Sequence, residues 1–443
     1  MIEHCVALAS FEHQSMLTAS RGVLHQSHSH SLNGRERLLG GDLTTEEYIE
    51  RDKETFTRFL RLVVSQCSAR GQTINLNTNQ ELPRLIPVLC AYFSHGELVE
   101  LVGEKLTNEI LDTYHIEILQ NMLLEHEFEQ VLQRFNSASI PLMLIKGPAL
   151  AYTVYPKAHL RTYQDIDALI HPEDLAGAHE LLTQMGYVFY NEYRADAFDE
   201  RRTGYNYSLK CSNFPYEVMI ELHTAPHSSE IGTLFDRDEL WKNANTITIF
   251  GQPVRTMNPT DHLLYLCWHY RFHGFTRLLW LYDLVMILRV YGDTLDWDSL
   301  VRSAHRQHMA ANLYYCLSWC RDLFGVAIPD SVFTMLHPPA LSRFIVEQIA
   351  MPDVANALSV ADCQERRLVA RRAMVDSNNE LFRAGLRMLF PSPIAMQKRY
   401  MDHSRLPLQL FFLYYLTHPW ITLVKGSRNL LRREKKVQNK KER

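Results

Sequence analysis

Asp165 and Asp167 stand one residue apart in "LRTYQDIDALI", in an otherwise apolar run. In an extended strand residues i and i+2 share a face, so the two carboxylates project together while Ile166 and Ala168 face the other way. Paired carboxylates repel and raise each other's pKa unless a cation sits between them. Mg²⁺ suits the arrangement, because it accepts few carboxylates and completes its octahedron with water and phosphate oxygens. Mn²⁺ is the alternative. Three neighbours extend the pattern. Lys146 and Gly147 end the apolar run "IPLMLIKG", and Pro148 follows, a residue favoured at the first position of a helix. A helix starting there aims free N–H groups at a phosphate, with the Lys146 charge beside them. Arg161 stands four residues before Asp165, in position to meet a phosphate or brace the carboxylates. Glu221, in the strand-like run "YEVMIELH", completes a three-carboxylate cluster if that strand lies beside the aspartates.

These residues need a sheet to hold them. Short apolar runs at 141–146, 165–170, 186–190, 204–211, 216–223, 246–250 and 253–257 alternate with helical stretches at about 148–155 and 173–185. The pattern predicts an α/β core over 140–257 with a mixed sheet. A helical region over 44–139 precedes it, read as scaffold or lid, and a second helical region over 258–400 follows. Residues 1–43 are rich in Ser, His and Gly and are read as a disordered tail, with the cluster His25, His28 and His30 as an alternative metal site. Residues 401–443 combine an apolar segment, "LPLQLFFLYYLTHPWITLV", with a tail carrying nine Lys/Arg against two Glu. Three readings of that end stay open: a helix packed on the body with a solvated basic end, a segment at 406–443 in peripheral contact with an anionic membrane surface, and a membrane span, which Gln409, Thr417 and His418 weaken and Pro407 and Pro419 break.

The order Gly, short helix, Asp-x-Asp and a later third carboxylate resembles the nucleotidyltransferase superfamily of polymerase-beta-like fold. More closely, "LIKGPALAYTVYPKAHLRTYQDIDALIHPEDL" is similar to the opening motif of the bacterial uncharacterised nucleotidyltransferase family, through Lys146, Gly147, Tyr155, Pro156, Arg161, Asp165 and Asp167. The "ELH" of Glu221 to His223 and the stretch "LLYLCWHYRFHGFTRLLWLYDLVMIL", through His269, His273, Arg277 and Asp283, extend the likeness over about residues 100–400. The resemblance implies an α+β fold with a polymerase-beta-like core flanked by helical regions. It also implies Asp165, Asp167 and Glu221 as catalytic metal ligands. Lys146, Gly147, Arg161, His269, His273 and Arg277 are then expected on nucleotide or phosphate, with Asp283 and His223 in support. His269, His273 and Arg277 fall at i, i+4 and i+8, one face of a single helix. That face either covers the cleft or is an ordinary polar face with satisfied histidines.

One departure leaves the donor open. Pro148 stands where the superfamily places a Ser that holds phosphates. The expected reaction is Mg²⁺-dependent transfer of a nucleoside monophosphate from a triphosphate to an acceptor hydroxyl or phosphate of unknown identity. Polysaccharide or natural-product biosynthesis is the setting implied by the family. The alternatives are transfer of a sugar or sugar phosphate from another activated donor, and a non-catalytic nucleotide-binding protein. A net charge of −4 argues against nucleic acid as partner. Scattered cysteines with no Cys-x-x-Cys pair, and Glu3 and His4 where a cationic leader would begin, predict a cytoplasmic protein, with membrane association as the alternative.

Overall fold

A computed structural model describes residues 45–69, 82–190, 204–210, 217–226, 235–359, 364–392, 396 and 416–422. The expected tail with its histidine cluster, and most of the apolar and basic C-terminal segment, lie outside the described residues. The chain opens with helices α1 (Thr45–Ala69), α2 (Leu82–Tyr92), α3 (His95–Val102) and the 34-residue α4 (Glu104–Ser137). α1 buries Phe56, Phe59, Leu60 and Val63, the three-to-four spacing of one helical face. α3 begins at a capping box, in which Ser94 and Glu97 each satisfy the other's backbone N–H.

Seven strands follow: β1 (Met143–Leu144), β2 (Asp165–Leu169), β3 (Val188–Tyr190), β4 (Gly204–Lys210), β5 (Glu217–His223), β6 (Asn245–Ile249) and β7 (Gln252–Thr256). They form one mixed sheet in the order β3-β4-β5-β2-β1-β7-β6. The pairs β2/β5 and β1/β7 are parallel and the others antiparallel. Period-2 alternation drives one face of the central strands, Ile166, Ala168, Ile220 and Leu222, into a core closed by Leu124, Phe128, Leu132 and Phe135 of α4. Helix α5 (Lys146–Thr153) connects β1 towards β2, and α6 (Leu175–Gln184) connects β2 to β3. α5 therefore starts two residues earlier than Pro148 suggested, and the proline takes its third position.

After the short α7 (Arg237–Lys242), helices run from α8 (Pro259–Phe272) through α9 (Leu278–Tyr291), α10 (Trp297–Arg306), α11 (Ala310–Phe324), α12 (Asp330–Leu336) and α13 (Ala340–Arg343). Asn258 caps α8 and Pro259 fills its first turn. The run expected as one helical face breaks here. Gly274 at φ 69° and Phe275 at φ 57° reverse the chain between α8 and α9, a left-handed turn that glycine enters without penalty. A π-helical turn (Phe344–Ala350) leads to α14 (Val354–Ser359), α15 (Gln364–Ala373) and α16 (Asn378–Leu389). The helices before and after the sheet share one core: Phe56, Leu85 and Ile86 pack in the same cluster as Leu264, Leu281, Leu284 and Leu317. Cys316 and Cys320 are buried in it as free thiols. Among the described residues no helix is long and apolar enough to cross a membrane.

Candidate active site

The site is built on the parallel pair β2/β5. Its register sets Asp167 opposite Glu221 and Leu169 opposite His223. Alternation then brings Asp165, Asp167, Glu221 and His223 to the face away from the sheet core. Asp167 is only 4% exposed. Its Oδ1 accepts a hydrogen bond from the Lys146 ammonium at 2.7 Å and lies 3.1 Å from His223 Nε2. Lys146 Nζ is also 3.9 Å from Glu221 Oε2, and His223 Nε2 is 3.4 Å from the same oxygen. One donor atom each from Asp167, Glu221 and His223 falls within 4.8 Å of the others.

Local backbone explains why Lys146 arrives there. Ile145 N–H donates to the Asp167 carbonyl at 3.1 Å, tying the start of α5 to β2. Lys146 then turns with φ 55°, a left-handed conformation unusual for a side chain of this size. Gly204 of β4 faces His223 across the pair, and a Cβ there would stand 3.2 Å from Glu221 Oε1. The missing side chain leaves room for the carboxylate.

The electrostatics divide the acids. Asp165 makes no hydrogen bond or ion pair among the described residues. Burial, and next the Asp167 charge, push its carboxyl up to about 6. Glu221 moves the other way: burial opposes ionisation, yet His223 and Lys146 hold it well below the ordinary carboxylate range. Burial and the Lys146 charge work against protonation of His223, but Glu221 and Asp167 together raise its pKa. Lys146 stays protonated, since the attraction of Asp167 and Glu221 outweighs the cost of its burial.

Arg161 and Asp283 form a separate buried unit. Arg161 Nε and Nη2 donate to the two oxygens of Asp283 at 2.6 and 2.8 Å, Nη1 donates to the Thr162 carbonyl, and Tyr155 Oη donates to Asp283 at 2.8 Å. The guanidinium is thus committed to tying the loop before β2 to α9: its hydrogen bonds go to Asp283 and Thr162 rather than to the Asp165 and Asp167 carboxylates it was expected to brace. Gly147 is buried. A Cβ on it would meet Tyr163 Cβ at 2.7 Å, so glycine is required for packing.

His269 and His273 lie at the end of α8, with ring centroids 4.5 Å apart, and both pack against Trp280, His269 edge-on and His273 tilted. Neither imidazole makes a hydrogen bond among the described residues. Burial and the Lys146 charge hold His269 well below its ordinary pKa and bring His273 down to about 4. These rings are neutral near pH 7, so they offer hydrogen bonds and no positive charge. Arg277 opens α9 and lies 4.5 Å over the Trp280 ring, rejoining the two histidines across the turn.

Two further residues were not singled out from the sequence. Tyr265, one turn before His269, is buried within electrostatic reach of Lys146, Asp167 and Glu221. The i, i+4 spacing that picked out the histidines also includes it. Arg84 of α2 donates to Gln164, the residue before Asp165, at 2.7 Å, and its charge helps ionise Asp165. Nothing in the sequence signals that approach, which depends on packing α2 against the β2 loop.

No curated protein matches the chain significantly. Among solved structures, an antigenic nucleotidyltransferase-like protein from Paracoccidioides brasiliensis is similar at 17% identity, covering 48% of this chain and 96% of its own, with a TM-score of 0.34. JHP933 from Helicobacter pylori is similar at 15% identity, covering 60% and 93%, with a TM-score of 0.28. A family model described as uncharacterised nucleotidyltransferase matches residues 81–325. That span holds the whole sheet, Lys146, the acidic residues of β2 and β5, and the α8/α9 histidines. It covers over half of the chain, which belongs to this uncharacterised nucleotidyltransferase family.

Proposed function

We propose that the chain is a Mg²⁺-dependent nucleotidyltransferase that moves a nucleoside monophosphate from a triphosphate to an acceptor hydroxyl or phosphate. The observation that carries this reading is the three-carboxylate group on adjacent parallel strands, with an ammonium drawn in among them. The residues fit a hard divalent cation. Oxygen donors of Asp165, Asp167 and Glu221 are the right chemistry, and Asp165, without a hydrogen bond or ion pair among the described residues and with its pKa raised by burial and by Asp167, marks a local deficit of positive charge. Asp165, Asp167 and Glu221 would hold the ion, which when bound neutralises charge on the donor's phosphates. Lys146 supplies a fixed positive charge for a phosphate oxygen. His223 holds the Asp167 carboxylate in place. His269 and His273, neutral and with imidazoles that make no hydrogen bond among the described residues, are suited to an acceptor hydroxyl. Polysaccharide or natural-product biosynthesis, as the setting, rests on the family resemblance alone.

A second reading keeps the cation and changes the transferred group to a sugar or sugar phosphate. It is favoured by the opening of α5: Gly147, Pro148, Ala149 and Leu150 are all buried, so this helix start presents little backbone to a triphosphate. Calorimetric titration with the four common nucleoside triphosphates and a UDP-sugar, with and without Mg²⁺, separates the readings. Mg²⁺-dependent triphosphate binding that disappears in Asp167→Asn is the expected result. Binding of the UDP-sugar alone favours the second reading. Triphosphate binding unchanged by both Asp165→Asn and Asp167→Asn rules out the proposed metal site.

A further inference from the structure

α16 leaves an apolar stripe uncovered. Phe382, Leu386 and Phe390, four residues apart, are 67%, 41% and 55% exposed, while Leu381 on the opposite side packs on the core. Exposed Arg383 and Arg387 line one flank of the stripe. The helical residues 416–422 dock at the end of α16 through buried His418, whose Nε2 lies 3.1 Å from the Met388 carbonyl. This segment exposes Leu416, Trp420 and Ile421, with Trp420 at 72%. Six large apolar side chains on two joined helices are unusual on a solvated surface, where apolar residues are normally scattered singly. Directly after them the sequence places nine Lys/Arg and two Glu between residues 425 and 443.

We infer that this face lies on an anionic lipid bilayer. Phe382, Leu386, Phe390, Leu416 and Trp420 enter the headgroup boundary, and Arg383 and Arg387 meet anionic headgroups. An amphipathic helix with cations along its apolar stripe has the composition of an interfacial helix. Tryptophan, with an apolar body and a polar N–H, favours that depth. Charge decides against the main competitor, a second copy of the chain, since two such faces would set the same exposed arginines, Arg383 and Arg387, against each other. The two signals are each weak, and stable attachment uses both. The inference does not depend on the transferase reading, because it involves neither the metal nor a nucleotide.

Vesicle flotation with the full chain tests it, using phosphatidylcholine alone or with about a third phosphatidylglycerol. The expected result is an anionic preference of about tenfold or more, weakened by raising salt from about 0.1 to 0.5 M. Phe382→Ser with Trp420→Ser should lower anionic binding by about tenfold at low salt. Both side chains are exposed, so circular dichroism should match the wild type. If that variant does not fold, Arg383→Glu with Arg387→Glu decides, with the same loss expected. The inference is overturned by absence of an anionic preference, or by wild-type binding of either folded variant, which would assign attachment to the basic segment alone. A dimer of the free chain that the serine variant dissociates would assign the face to self-association.

Discussion

Lys146 places its ammonium 2.7 Å from Asp167 and 3.9 Å from Glu221, close to where a divalent ion held by those carboxylates would sit. It does so from a left-handed backbone conformation, strain of the kind that collects at functional sites. In the proposed metal site, ammonium and cation would compete for the same oxygens. Lys146→Met should tighten Mn²⁺ binding by about tenfold or more, because like charge at such separations is worth over a pKa unit. Titration followed by the electron paramagnetic resonance of free Mn²⁺ checks this, and unchanged affinity would mean the ammonium does not hold the cation position. Gly147 next to it has a different duty. Gly147→Ala forces a Cβ within 2.7 Å of Tyr163 Cβ, and should cost about 1–3 kcal/mol in urea unfolding as α5 is pushed off β2. At this scale the sequence is informative where residue type carries the chemistry, as for Asp165, Asp167, Glu221 and Lys146. It is silent on pairing. Arg161 and Asp283 lie far apart in sequence, and only the packing of α9 against the loop before β2 shows that they satisfy each other.

That pair is the joint between two elements. Arg161 and Asp283 are both buried and share two hydrogen bonds, so removing one partner strands the other's charge. Arg161→Met should cost about 3–5 kcal/mol, and Arg161→Met with Asp283→Leu distinctly less, since the double change leaves no orphaned charge. Equal losses from the single and double variants would show that the pair's cost lies in packing. α8 carries a pH dependence. His262 is buried with its Nε2 unpartnered among the described residues, and burial brings its pKa down to about 4. The unfolded chain takes up a proton below about 6.5 that the folded chain refuses, so stability is lost as pH falls from there towards 4. His262→Leu should therefore lose roughly 1 kcal/mol less than wild type between about pH 7.5 and 5.5, read from urea midpoints. Asp165 has the opposite sign: its folded pKa is raised, so its protonation stabilises the fold over the range from about 6 down to 4. Comparing variant with wild type at each pH removes that contribution. The strands were legible because a period of two, bounded by Gly, Pro and Asn, is a local signal. The break between α8 and α9 was hidden by helical spacing that runs straight through Gly274.

For the whole molecule, the question is whether the helices before the sheet are a separable addition. Their sequence suggested a scaffold or lid without chemistry, since amphipathic spacing shows that a face is buried but not against what. Asp52 of α1 answers part of it. The side chain is fully buried and accepts two hydrogen bonds from Arg289 of α9 at 2.7 Å each, one from Tyr92 of α2 at 2.8 Å and one from Tyr282 at 3.0 Å. Phe56, one turn on, packs on Tyr92, Tyr282 and Phe324. α1, α2, α9 and α11 thus meet at one buried charge, and the Arg161–Asp283 joint sits on the same α9 one residue after Tyr282. Asp52→Ala leaves Arg289 buried without its counter-charge and should cost about 3–5 kcal/mol. The readout can tell a shared core from an appended one. All six tryptophans lie at position 241 or later, so fluorescence reports only on residues far along the chain from α1. With a shared core, Asp52→Ala lowers the urea midpoint by fluorescence and by circular dichroism together, as one cooperative transition. A fluorescence midpoint that stays at the wild-type value while helical signal is lost early would show that α1 to α3 detach on their own.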